Sequence, residues 1–390
     1  MKKVIAFFLV IISVFVFGVS AFAENEIKNM AESKASLDIP DAKSAVLMEA
    51  ETGEVIFSKA PDTELNPASV TKVMTLLLAA EALDEGRIAL TDKVTVSAHA
   101  ASMGGSQVFL KEGEVMALEE LIKCVVIASA NDAALALAEH VSGNEAAFVS
   151  RMNERAAELG MKHTSFENVT GLDDTTSNHY TSALDIAIMS RELIAHEIIL
   201  KYSSIWQDTI RDGEFVLTNT NRLVRFYDGC NGLKTGSTSK AGYCVSATAK
   251  RGDMQLIAVV MGAETRDKRN EVAKNLLDFG FANYTLMKNP EAQIERVPVK
   301  FGVKDSAMIY EGEFSKLVSK ADASKIEKVY VIPESIAAPL KSGESVGKVE
   351  YILRGEKIGE AEIYLKEDIE KLSFWKLFSR IICSVFSGGK

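Results

Sequence analysis

Several functions are excluded by what this 390-residue chain lacks. Its four cysteines, Cys124, Cys230, Cys244 and Cys383, are scattered through a long sequence. That spacing is not a disulfide framework of the kind that staples small secreted domains. It has five histidines but no H-E-x-x-H or comparable ligand spacing, so no metal or other cofactor is expected. His163 and His179 read as loop and packing residues. Positive charge is also scarce: 54 acidic residues outnumber 44 basic ones, for a formal net charge of −10. A nucleic-acid partner, which needs a basic footprint, is disfavoured.

With 47% hydrophobic and 25% charged residues the chain reads as globular, and it is long enough for more than one domain. Lys2 and Lys3 precede an uncharged apolar stretch from Val4 to Val19 and then Ala21-Phe22-Ala23. This is the pattern of a signal peptide over residues 1–23, cleaved after Ala23; an uncleaved membrane anchor is the competing reading. Cleavage removes two lysines and no acid, which takes the net charge from −10 to −12. The expected place of work is outside the cytoplasm.

Residues 24–40 are small and polar and form an expected flexible lead. Ser44–Glu49 and Glu54–Lys59 flank a Gly-containing turn and read as a hairpin. Helical patterns follow after Pro67, over Leu118 to Ile127, Asp132 to His140, Asn144 to Leu159 and Thr181 to Ala195. Strands are predicted at Phe215–Leu217, Gly232–Thr235, Tyr243–Lys250 and Met254–Met261, then a closing helix from Arg269 to Phe279. Strands at both ends with helices between them predict an α/β fold of the α+β type, one antiparallel sheet covered by helices over residues 41–288. Alternating segments between Ile294 and Tyr364 predict a small all-β domain over residues 292–367. Within it Lys341-Ser342-Gly343 is a turn.

Residues 370–390 form the last segment. Leu372, Trp375, Phe378, Ile382 and Phe386 lie on one side of a helix; Ser373, Lys376, Arg380 and Ser384 line the other. The run is too short for the roughly 20 residues that span a bilayer. It suits a helix lying in the membrane interface, with packing on its own domain as the alternative.

Three short motifs carry the chemistry: Ser69-Val70-Thr71-Lys72, Ser129-Ala130-Asn131 and Lys234-Thr235-Gly236. They supply a nucleophile with an amine, a hydroxyl with a carboxamide, and a cationic strand edge, as acyl transfer through a serine requires. Each has decoys. S-x-x-K recurs at Ser237, Ser373 and Ser387, and S-x-N at Ser142, so context must choose. Asn66 is expected to cap a helix beginning at Pro67, which leaves the Ser69 N–H free at the positive helix end. Lys72 shares that helical face with Ser69, and Lys234 could supply the charge that lowers the pKa of Lys72. On its own the first motif suits an ordinary exposed first turn better than a catalytic one. Gly236 leaves room for another backbone to approach the strand. If Gly236 faces Gly242 across a hairpin, Cys230 faces Thr248 and Cys244 faces Lys234. On that register the two thiols are not partners.

The motifs in this order, with Asn178-His179-Tyr180-Thr181-Ser182-Ala183-Leu184-Asp185 and the run from Lys234 through Tyr243, resemble the serine D-Ala-D-Ala carboxypeptidases. These are low-molecular-mass penicillin-binding proteins, related to serine β-lactamases. The resemblance covers nearly the whole chain. It implies Ser69 as the acylated nucleophile, Lys72 as general base, Ser129 and Asn131 in proton relay and substrate binding, and Lys234 with Thr235 and Gly236 at the substrate. It further implies an oxyanion hole from the N–H groups of Ser69 and Ser237, and Arg269 at the terminal carboxylate, with Arg222 a less certain second. Stem peptides of peptidoglycan and β-lactam antibiotics are the implied partners. A Glu-x-x-x-Asn loop of the deacylating kind is missing; Glu167-Asn168 has the wrong spacing. A β-lactamase is therefore the less favoured hydrolase, and a non-catalytic wall-binding module the alternative from another class.

Overall fold

Every residue of the first strand, β1 (Ser44–Glu49), is buried. A strand covered on both faces belongs inside a covered sheet. β1 lies there, between β2 (Val55–Lys59) and β9 (Met254–Ala263). With β8 (Gly242–Arg251) and β7 (Cys230–Thr238) they form a five-stranded antiparallel sheet in the order β2-β1-β9-β8-β7. The computed structural model describes residues 37–174 and 176–375, with 378, 379 and 382. The expected signal peptide and residues 24–36 of the lead lie outside the described residues.

Between β2 and β7 the chain leaves the sheet and builds helices α1 (Lys72–Asp84), α2 (Ala98–Ala101), α3 (Leu118–Ile127), α4 (Asn131–Ser142), α5 (Glu145–Glu158), α6 (Ala183–Ile194), α7 (Glu197–Ser203) and α8 (Leu223–Phe226). Two short ribbons, β3 (Lys93–Thr95) with β4 (Val115–Ala117) and β5 (Gln207–Ile210) with β6 (Phe215–Thr218), flank them. α1 is apolar nearly all round, which suits only an interior helix. It is buried from Lys72 to Ala80. Val46, Met48, Ile257, Val259 and Met261 of the sheet share one core with α1 and its neighbours. On the opposite face α9 (Arg266–Asn283) packs so closely that a Cβ on Gly280 would stand 2.5 Å from Leu256 Cδ1. The antiparallel sheet covered by helices is the architecture the sequence pattern predicts.

The hairpin register differs from expectation. Gly236 pairs with Cys244 rather than Gly242, Lys234 with Ser246, and Cys230 with Ala249 across a bulge between Cys230 and Gly232. The tight turn belongs to Thr238–Gly242, two residues further out than assumed. Cys124, Cys230 and Cys244 are all free thiols.

After α9, β10 (Tyr284–Asn289) pairs with β13 (Phe314–Ser319) as a ribbon. Beside it stands a six-stranded sheet of β14 (Ile326–Val331), β16 (Ser345–Leu353), β17 (Glu356–Leu365), β12 (Ser306–Glu311), β11 (Ala292–Lys300) and β15 (Ile336–Ala337), in that order. Phe314 stacks on Tyr351 at 3.8 Å, over Gly359, where a Cβ would meet the Phe314 ring at 2.5 Å. Lys341-Ser342-Gly343 closes a turn, with the Glu344 N–H donating to Lys341 O. Glu51, at the β1–β2 turn, accepts from Lys288 and Ser315 and ties the two sheets' elements together.

The tail departs from the expected pattern at its start. Leu372 is buried, and its N–H donates to Phe301 O, so it belongs to the β domain rather than to the apolar helix face. Phe374, Trp375, Phe378 and Ile382 are exposed. Ser384 and Phe386 lie outside the described residues, as do the side chains of Lys376 and Arg380. Among the described residues no helix is long and apolar enough to cross a membrane.

One polar group sits deep in the second sheet. The Glu311 carboxylate accepts from Lys328 Nζ (2.8 Å), Tyr351 Oη (2.7 Å) and Tyr330 Oη (3.2 Å). Burial works to raise its pKa, but the lysine and the tyrosines bring it below the ordinary value. Glu311→Ala strips these donors of their acceptor and should cost about 2 kcal/mol in thermal unfolding followed by circular dichroism. Glu311→Gln, which keeps an acceptor, should cost less.

Candidate active site

The segment carrying Ser69 begins with a strained turn. Ala68 has φ +49°, and Ala68–Thr71 is a 3-10 turn that runs into α1. Pro67 stands at its N-cap position with no side-chain cap. The expected cap, Asn66, instead donates through Nδ2 to His179 O at 3.1 Å. The Asn66 amide is thus spent on a tertiary contact rather than on the start of the turn.

Lys72 opens α1 and is wholly buried. Its Nζ lies 3.0 Å from Ser69 Oγ, 2.6 Å from Asn131 Oδ1 and 2.8 Å from Thr170 O. Burial, and then the positive charge of Lys234, hold its pKa well below the ordinary lysine value, with Asp132 opposing.

Ser129 sits between α3 and α4 at φ +62°, and its buried Oγ has no hydrogen-bond partner among the described residues. Asn131 lies inside the first turn of α4, whose N-cap is Ala130. Its Oδ1 receives Lys72 and its Nδ2 donates to Gly104 O at 2.7 Å. The neighbouring Asp132 carboxylate accepts from the N–H groups of Val108 and Leu110 and fastens the loop in front of it.

Lys234 is buried on β7, and its Nζ donates to Thr235 O at 3.0 Å. Burial and then the Arg269 charge lower its pKa to about 7. Thr235 Oγ1 donates to Thr220 Oγ1 at 2.9 Å. A Cβ on Gly236 would stand 2.7 Å from Pro67 O, 2.8 Å from Ser69 N and 2.9 Å from Val70 N. The backbone that needs the room left by Gly236 is thus the chain's own turn at Pro67–Val70. Ser237 is exposed at the next position. Arg269 is buried at the start of α9 and donates to Asn270 Oδ1 and, at 3.5 Å, to Cys244 O. Burial brings its pKa down to about 10. Arg222 is exposed beside α8.

The loop 167–180 is the part of the site that the motifs do not reveal. It contributes a carbonyl, Thr170 O, and backbone acceptors leave no side-chain signature. Gly171 is its one clue: it has φ +82°, and a Cβ there would stand 1.8 Å from Ala68 O. The Glu167 carboxylate accepts from the N–H groups of Ser177 and Asn178. It is engaged with its own loop. His179 Nδ1 accepts from Glu167 N at 3.0 Å, which puts the ring proton on Nε2, 2.8 Å from Thr71 Oγ1. Asp173 accepts from Thr238 Oγ1 and Lys240 Nζ, both at 2.5 Å, and joins this loop to the end of β7.

A serine and a buried amine at a helix start, an orphaned hydroxyl between helices and a cationic strand edge, on an antiparallel sheet, define a serine acyl-transfer hydrolase of the penicillin-binding-protein class. Residues 29–265 match the family model of D-alanyl-D-alanine carboxypeptidase, and residues 283–371 match that of the penicillin-binding protein 5 C-terminal domain. The chain belongs to the D-alanyl-D-alanine carboxypeptidase family. It is 42% identical to D-alanyl-D-alanine carboxypeptidase DacF of Bacillus subtilis, over 97% of this chain and 98% of that one. Penicillin-binding protein 5 from Haemophilus influenzae is a similar solved structure, with TM-score 0.75 and 34% identity over 87% of this chain and 100% of that one. Penicillin-binding protein D2 from Listeria monocytogenes in its ampicillin-bound form is another, with TM-score 0.58 and 30% identity over 64% of this chain and all of that one.

Two outcomes test this geometry. Gly236→Ala should displace the turn at Ser69 and slow acylation by a fluorescent penicillin at least about tenfold, with thermal stability showing the chain still folded. The second concerns His179, whose pKa burial lowers from 6.5 to about 4. Between those values the unfolded chain binds more protons, so stability rises with pH there and is lost as pH falls. Urea midpoints should drop across that window, and His179→Gln should flatten the drop.

Proposed function

We propose that the chain removes the terminal D-alanine from peptidoglycan pentapeptide stems through an acyl enzyme on Ser69. The observation that carries this reading is the Lys72 amine, buried and 3.0 Å from Ser69 Oγ. A neutral amine donates two protons, to Asn131 Oδ1 and Thr170 O, and its lone pair is left for the Ser69 hydroxyl proton. Lys72 is the general base, and Ser69 Oγ attacks the carbonyl of the penultimate D-alanine. The N–H groups of Ser69 and Ser237 stabilise the oxyanion. Ser129, whose hydroxyl has no partner among the described residues, passes a proton to the departing D-alanine amine. Water then adds to the acyl carbonyl, Ser69 leaves with a proton, and the shortened stem departs.

Asn131 holds Lys72 in place as well as meeting the substrate amide. Lys234, Thr235 and Gly236 form the substrate edge, with Lys234 and Arg269 providing positive potential for the terminal carboxylate. β-Lactam antibiotics acylate Ser69 because their ring amide resembles the D-Ala-D-Ala peptide. The engagement of Glu167 with Ser177 and Asn178 supports peptide trimming over drug hydrolysis. In this reading residues 1–23 direct export, 41–288 form the catalytic domain, 292–367 the β-rich domain, and 370–390 an interfacial helix at the outer face of the cytoplasmic membrane.

Ser69→Ala should abolish both covalent labelling by a fluorescent penicillin and D-alanine release from a pentapeptide. Labelling that persists in that variant would overturn the assignment.

A further inference from the structure

We propose that the turn between β11 and β12, carrying Phe301 and Val303, is a second membrane-contact element that docks on the lipid surface together with the tail. This rests on reading residues 370–390 as an interfacial helix. The turn and the root of the tail are joined: Val303 N donates to Glu370 O at 2.9 Å and Leu372 N to Phe301 O at 2.8 Å, and Gly302 bridges Lys371. Two apolar side chains are therefore set beside the base of the helix that carries Phe374 and Trp375.

The turn is built to point outward. Phe301 is 53% exposed at φ +59°, a conformation that bulky residues seldom adopt. Gly302 is packed tightly, since a Cβ there would stand 2.5 Å from Val299 Cγ1 and 2.9 Å from Lys304 O. The shape of the turn is thus fixed by its own packing, and it leaves an aromatic ring in water. Val303 is 41% exposed, and Phe374 and Trp375 are 71% and 75% exposed. Phe374 meets Trp375 edge-on and stacks with Phe378, so the tail's apolar residues are organised among themselves.

The residues at this end suit a bilayer over a protein partner. Lys300 and Lys371 are exposed at the two strands' ends, as is Glu370. The carboxylates Glu367 and Asp368 pair with Lys304 and Lys341. Exposed aromatic and aliphatic side chains with a tryptophan among them, rimmed by long-stemmed lysines, suit the headgroup region of a membrane. Two contact points, unlike a single helix, also fix how the β domain stands on that surface.

The test uses the full mature chain and vesicles of phosphatidylglycerol and phosphatidylethanolamine in a flotation assay. The pair Phe301→Ser and Val303→Ser should weaken vesicle binding about tenfold, the loss of one to two interfacial apolar side chains. Penicillin labelling at Ser69 should be unchanged, which shows that the variant is folded. Separately, Phe301→Trp, with Trp206→Phe and Trp375→Phe to clear the background, should shift its emission to the blue on adding vesicles and be quenched by brominated lipid. Unchanged vesicle affinity in the double variant, with no shift at position 301, would overturn the inference. So would a concentration-dependent dimer in sedimentation that these substitutions abolish, since the face would then cover a second copy. Removing residues 373–390 probes the reading beneath: if binding survives that deletion, the tail is not the anchor.

Discussion

The site depends on one buried amine. Charging an amine sealed from water is costly, and at Lys72 that burial acts together with the charge of Lys234 to hold its pKa well below the ordinary lysine value. Each hydrogen-bond partner of this amine comes from a different part of the chain. Ser69 is three residues away, Asn131 fifty-nine and Thr170 ninety-eight. The helix α1, the start of α4 and the loop 167–180 are therefore held to within hydrogen-bonding tolerance by a single nitrogen. Lys234 adds its charge from the sheet, and its own pKa is lowered by burial and then by the charge of Arg269.

The sheet side is fitted to the helical side at Gly236. A strand residue with any side chain would collide with the peptide bonds on either side of Ala68. That contact sets the Ser69 N–H beside β7. The strained turn at Ala68 and the tight glycine at 171 belong to the same seam, pressed from one side by β7 and from the other by the 167–180 loop.

Much of this was legible in the sequence, for identifiable reasons. Ser69 with Lys72, Ser129 with Asn131, and Lys234 through Ser237 carry their chemistry in side chains at fixed spacing. The α1 stretch is apolar nearly all round, and the sheet strands alternate or run fully apolar. What escaped were features with no side-chain signature or with a tertiary cause. Thr170 acts through its carbonyl. Asn66 reads as a cap but finds His179 O, a partner more than one hundred residues away. The β7–β8 register moved by two because the turn begins at Thr238, and Gly236 was occupied by the nucleophile turn. Leu372 has the period of the tail helix but is claimed by the β domain through Phe301.

β1 carries a further consequence. It is made early, among the first fifty residues, yet one of its two neighbours, β9, is some two hundred residues downstream. Its partner β2 covers only one edge in the meantime. Until Met254–Ala263 arrives, a strand destined for full burial has an open flank, the kind of edge that pairs with the wrong chain. The first strand of the sheet must wait for its last one, and the chain is vulnerable for as long as that meeting is delayed. Pairing over such a separation carries the loop-closure cost that slows folds rich in non-local contacts.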